Sequence, residues 1–134
     1  GIGLFRMEHM FYGEGSAMPL FLLRKMILCL STADRISVLK ELFPYMKKDI
    51  IGTMEAMEEF PVTIRLLDPP LHEFVPHSEI GQHELGTALG ISDNEVQKRI
   101  EALAENNGVV AQMGAEPILE ALRQRPDILI CGRA

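Results

Sequence analysis

The sequence predicts a helix-rich α/β unit, and two observations carry that prediction. Short apolar stretches at residues 1–5, 62–67 and 128–131 are separated by longer segments of helical periodicity, giving the order strand, helices, strand, helices, strand. These short stretches lack a clear alternation of apolar and polar residues, the pattern of strands covered on both faces. A length of 134 residues with 47% hydrophobic content suits one domain with a sizeable core.

The elements follow in order. Gly1-Ile-Gly-Leu-Phe5 reads as a buried strand with no initiator methionine and no lead-in, and is expected to be the start of an excised or truncated piece. Residues 6–16 are mixed, with Gly13 and Gly15 marking a loop. From Met18 to Leu30 the apolar residues are nearly continuous, broken by Arg24 and Lys25, and Pro19 suits a first helical turn. Ser31 or Thr32 can cap the next helix, which carries Ile36, Leu39, Leu42 and Phe43 at spacings of three and four until Pro44 interrupts. A separate helix over 45–59 sets Met46, Ile50, Met54 and Met57 on one face, read as flexible core filler. The β-branched run Val62–Leu67 lies between Pro61 and the turn at Pro69-Pro70. Helices at about 79–89 and 93–106 are separated by Gly90, the second capped by Ser92 or Asp93. A helix near 116–125 and an apolar strand, Ile128–Cys131, close the chain, and that strand could pair with the other two and shield an edge.

Charge and composition narrow the functions. A formal net charge of −6 argues against a general polyanion-binding surface, so any phosphate site must be local. Cys29 and Cys131 lack metal-ligand spacing and suit reduced thiols. No apolar run reaches the roughly 20 residues that span a bilayer, and a signal-peptide pattern is not seen at Gly1. A cytoplasmic location is the expectation.

Arg6 and Arg65 share a position type, each at or near the end of a short apolar strand and just before a loop or turn. In parallel α/β folds ligands collect at the carboxyl ends of strands. Two arginines there could grip a phosphate or carboxylate bidentately, with charged hydrogen bonds worth about 1.5–3 kcal/mol each. The plainer alternative pairs Arg6 with Glu8 and Arg65 with Asp68. His9, His72, His77 and His83 have no metal-site spacing, and no residue is assigned a catalytic role.

Two long motifs carry a resemblance. GIGLFRMEHMF at residues 1–11 resembles Gly-Ile-Gly-Leu-x-Arg-Thr-Glu-His-Met-Phe, and PVTIRLLDPPLHEFVP at 61–76 resembles a strand motif, of the pyruvate, phosphate dikinase family. LRKMI at 23–27 and the helical stretch through Asn106 also fit, so the resemblance covers about residues 1–106. It implies a partial (β/α)8, or TIM, barrel that binds phosphoenolpyruvate or pyruvate, with an inserted helical segment at about 78–106. It further implies that Arg6 and Arg65 contact phosphoenolpyruvate, that Asp68 stands beside the site, and that Mg2+ is the cofactor, its ligands lying outside this chain. The reaction implied is phosphoryl transfer between a phosphohistidine and pyruvate. Met7 stands where the family has threonine, and Phe5 where it has a smaller residue. A complete barrel needs about 250 residues, and the nucleotide-binding and phosphohistidine domains are not recognised in this sequence. The chain is therefore expected to be inactive alone, with the missing parent domains or a second copy as partners.

Residues 84–110 read differently, as a helix, a Gly-Ile-Ser turn and a second helix resembling a DNA-binding helix-turn-helix. Asp93, Glu95, Glu101 and Glu105 surround Lys98 and Arg99, which opposes phosphate contact. A non-catalytic helical interaction module is the wider form of that alternative. From Gly108 the dikinase resemblance stops, and GAEPILEALRQRPDILICGRA resembles a short segment of the acyclic terpene utilisation protein family. Residues 107–134 are thus expected to be a helix-strand tail distinct from the barrel piece.

Overall fold

The computed structural model describes residues 2–58, 60–65 and 71–106. Strand β1 (Ile2–Arg6) runs into a 3-10 turn at Met7–Phe11, and helices α1 (Ala17–Leu28) and α2 (Thr32–Met57) lead to strand β2 (Val62–Arg65). The short helix α3 (Leu71–Phe74) precedes α4 (Glu79–Leu89) and α5 (Asp93–Asn106). The fold is mixed α/β and helix-rich, as expected. No helix among the described residues is long and apolar enough to cross a membrane.

Helix α1 is the hub because its sequence is apolar on several sides. Leu22, Leu23, Ile27 and Leu28 are all buried and pack in one cluster with Phe11, Val38 and Leu42 of α2, Phe74, Val75, Leu85 and Val96. Each such leucine, taken fully from water, contributes about 1.5–3 kcal/mol. The ring of Phe11 meets Phe74 edge to face with centroids 6.1 Å apart, which ties the segment after β1 to the segment after β2.

Local chemistry sets the helix ends. The Ser31 hydroxyl accepts from the Asp34 amide at 3.1 Å and starts α2. Ser78 does the same for Gly81 at 3.2 Å and starts α4. Gly90 closes α4 at φ +69°, a left-handed conformation that glycine adopts at little cost. Ser92, rather than Asp93, caps α5 by accepting from the Glu95 amide. Asp93 instead faces His83 Nδ1 at 3.0 Å. Helices α4 and α5 close tightly at Gly86, where a Cβ would stand 3.0 Å from the Ile91 carbonyl and 3.2 Å from Val96.

Three expectations need correction. Pro44 does not end a helix: α2 runs unbroken through it for 26 residues. Proline removes one donor and crowds the Lys40 carbonyl, but Pro44 is exposed, so water can replace the lost donor while the flanking turns hold the helix. The methionine face is also not simply core filler, since Met46 packs against the cluster while Met54 is 54% exposed. Finally, β2 alternates half-buried Val62 and Ile64 with exposed Thr63 and Arg65, and Leu4 of β1 is exposed. Among the described residues the strand pair is therefore not covered on both faces.

Among the described residues the sheet comprises β1 and β2 in parallel, with Ile2 opposite Val62, Phe5 opposite Ile64 and Arg6 opposite Arg65, and an irregularity between Ile2 and Phe5. The expected strand residues Leu66 and Leu67, the Pro69-Pro70 turn, and the helix-strand tail at 107–134 lie outside the described residues.

Candidate anion site at the strand ends

Parallel pairing converts two arginines distant in sequence into neighbours. Arg6 and Arg65 are register partners at the carboxyl ends of β1 and β2, where adjacent strands lie about 4.8 Å apart. Both residues are exposed, so two guanidinium groups share the mouth of the sheet. Like charges this close repel unless an anion lies between or beside them.

One anion comes from the chain itself. Glu8, in the 3-10 turn that follows β1, forms an ion pair through Oε1 with Nη2 of Arg65. Glu8 is only 8% exposed, whereas the Arg65 side chain is 42% exposed. The other carboxylate oxygen, Oε2, is buried without a hydrogen-bond partner among the described residues. This pairing differs from the local alternative, which joined Glu8 to Arg6 and Asp68 to Arg65. The reason is register: the turn after β1 carries Glu8 back across to the neighbouring strand. Arg6 makes no ion pair among the described residues. Asp68, the third expected site residue, lies outside the described residues.

Arg24, Arg35 and Arg99, none of them expected at the site, are engaged within the fold. Arg24 donates through Nε to the Phe74 carbonyl and so fastens α1 to α3. Burial pushes its pKa down from the usual arginine value. Arg99 donates to the Leu28 carbonyl at 2.9 Å and also to Glu95, and Arg35 donates to the Cys29 carbonyl at 2.9 Å. These cations satisfy carbonyls at the end of α1, where the helix dipole is negative. Cys29 beside them is buried, and that burial raises its thiol pKa, with Asp34 adding to the effect.

Among the described residues no three His, Cys, Asp or Glu side chains gather where they could hold an ion, so these residues do not fit Mg2+. A cleft of about 410 Å³, lined by Cys29, Asp34, Glu41, Ile91 and Arg99 among others, has no lining residue from β1 or β2 and mixes both charge signs.

Register-partner arginines at the ends of parallel strands suit an anionic group. The chain belongs to the family described as PEP-utilising enzyme, PEP-binding domain, whose model matches residues 1–111. Within that family its similarity is to pyruvate, phosphate dikinases. It is 46% identical over 116 residues to pyruvate, phosphate dikinase 1, chloroplastic, of Arabidopsis thaliana, covering 85% of this chain and 12% of that protein. It is 44% identical over 114 residues to the pyruvate, phosphate dikinase of Clostridium symbiosum, covering 85% and 13%. Against that of Rhizobium meliloti (strain 1021) it is 40% identical over 114 residues, covering 85% and 12%. The chain thus spans about an eighth of the length of these relatives.

Proposed function

We propose that residues 1–106 are part of the phosphoenolpyruvate/pyruvate-binding (β/α)8 barrel of a pyruvate, phosphate dikinase, with the helices at 78–106 inserted into it and residues 107–134 forming a separate tail. The supporting observation is the register that sets Arg6 opposite Arg65 at the carboxyl ends of two parallel strands. In this reading both guanidiniums bind the phosphate of phosphoenolpyruvate, and Asp68 orients an arginine. The parent reaction, phosphoryl transfer between a phosphohistidine and pyruvate, needs charge on the transferring group to be offset by fixed cations. Arg6 and Arg65 supply that part alone, so the isolated chain binds without turning over. The helix-turn-helix alternative is disfavoured, because Arg99 is engaged within the fold by Glu95 and the Leu28 carbonyl.

A phosphoenolpyruvate titration of the full chain followed by heteronuclear NMR tests the proposal. Saturable shifts centred on Arg6 and Arg65 are expected, lost in Arg6→Ala, which removes no ion pair among the described residues, and in Arg65→Ala. Absence of shifts up to millimolar ligand would overturn it.

A further inference from the structure

We propose that Glu8 is a positioning residue for Arg65: its buried carboxylate grips one edge of the guanidinium from below and leaves the solvent-facing edge to the ligand phosphate. The inference rests on the reading of Arg65 as a phosphate ligand.

The geometry carries it in three parts. First, the pair is asymmetric in burial, with Glu8 8% exposed and the Arg65 side chain 42% exposed, so the contact anchors an arginine whose far side remains open to water. Second, the contact runs from Glu8 Oε1 to Nη2, one nitrogen of the guanidinium fork. A guanidinium has five N–H donors in a rigid fork, so holding one edge fixes where the others point. Third, Glu8 Oε2 is buried and has no partner among the described residues. A buried carboxylate left half-satisfied is costly, and among the described residues only Arg65 answers its charge. A packing role alone would be met by an apolar side chain, whereas a carboxylate here both orders Arg65 and offsets the repulsion between Arg65 and its register partner Arg6.

The consequence is a division of labour at the mouth of the sheet. Arg6 offers a cation with no ion pair among the described residues, and Arg65 offers one whose orientation is already fixed before ligand arrives. Fixing a long side chain in advance lowers the ordering cost of binding. Because Arg65 meets the phosphate in this reading, the benefit falls on phosphoenolpyruvate and not on pyruvate.

Glu8→Gln and Glu8→Asp in the full chain test this. The first removes the charge with the shape kept; the second keeps the charge and withdraws it by one methylene. Both are expected to weaken phosphoenolpyruvate binding about five- to tenfold, with pyruvate binding unchanged. In ligand-free spectra the Arg65 guanidinium signals, identified by their loss in Arg65→Ala, should pass from hindered to freely averaged rotation. A residue that only stabilises the fold would lower the melting temperature and leave these signals and the selectivity unmoved. Wild-type binding that both variants retain undiminished overturns the role of Glu8 and leaves the anion site standing. Absence of phosphoenolpyruvate binding in the wild-type chain overturns both. If one variant loses its dispersed amide spectrum, the other decides the outcome.

Discussion

Glu8 and Arg65 illustrate how a buried charge ties stability to the candidate anion site. With Glu8 buried and Arg65 its partner, removing the arginine leaves an uncompensated carboxylate in the core. Breaking such a pair from one side costs about 3 kcal/mol, more than the intact pair contributes relative to apolar replacements. Arg65→Ala is therefore expected to lower the unfolding free energy by about 3 kcal/mol, or somewhat less because Arg65 is partly solvated. The double variant Glu8→Gln/Arg65→Ala should recover at least half of that loss, and urea denaturation of the two variants and their parent measures the difference. Equal stability of Arg65→Ala and the double variant would show that Glu8 carries no buried charge to compensate. The pairing itself was not legible in the sequence. Arg6, Glu8, Arg65 and Asp68 were all visible as charged residues beside apolar strands, but only the β1–β2 register assigns Glu8 to Arg65, and register is a relation between distant segments.

At the level of elements, local signals were read well where the determinants are local. Gly90 and Ser92 mark the end of α4 and the start of α5 by geometry within a few residues, and both helices lie where the sequence set them, while the Ser78 cap emerged only from the structure. Pro44 was misread because its effect depends on the surroundings of α2 rather than on neighbouring residues. The proline penalty is nevertheless present. Pro44→Ala restores the missing donor to the Lys40 carbonyl, and its expected gain is about 2 kcal/mol after allowing for alanine's greater freedom in the unfolded chain. Thermal and urea unfolding check this, and an unchanged or lower stability would mean that the ring makes contacts offsetting the lost hydrogen bond. The short helix α3 escaped the sequence reading for a related reason: four residues after two prolines carry too little periodicity to announce a helix.

At the scale of the molecule, α2 leaves apolar side chains in water. Ile36, Leu39, Phe43 and Met54 are all exposed, Phe43 at 61%, along a helix whose buried contribution to the core rests on Val38 and Leu42. Periodicity identifies such a face but not what covers it. Among the described residues nothing covers this face, and a second copy of the chain is the cover we expect. Concentration-dependent self-association is the expected outcome in sedimentation velocity, with Phe43→Ser shifting the equilibrium toward monomer. A single monomeric species at all concentrations would contradict that expectation. The mixed α/β, helix-rich character and helices α1, α4 and α5 were legible because they follow from apolar spacing; the partial covering of β1, β2 and α2 was not, because it depends on which other surfaces are present.

The register of β1 with β2 also sets the order in which the molecule can be assembled. Ile2 meets Val62 and Arg6 meets Arg65 only after α1 and α2 have been made and folded back between them. Helices form from near neighbours in microseconds or less, whereas a parallel pair joining distant segments waits on closure of the whole intervening loop. During synthesis, Arg6 and Glu8 therefore leave the ribosome before their counterpart, and contacts between α1 and α2 can form around a carboxylate still lacking its cation, whereas Phe74, Val75, Leu85 and Val96 join the core only after residue 65. The candidate anion site is completed no earlier than the arrival of residue 65.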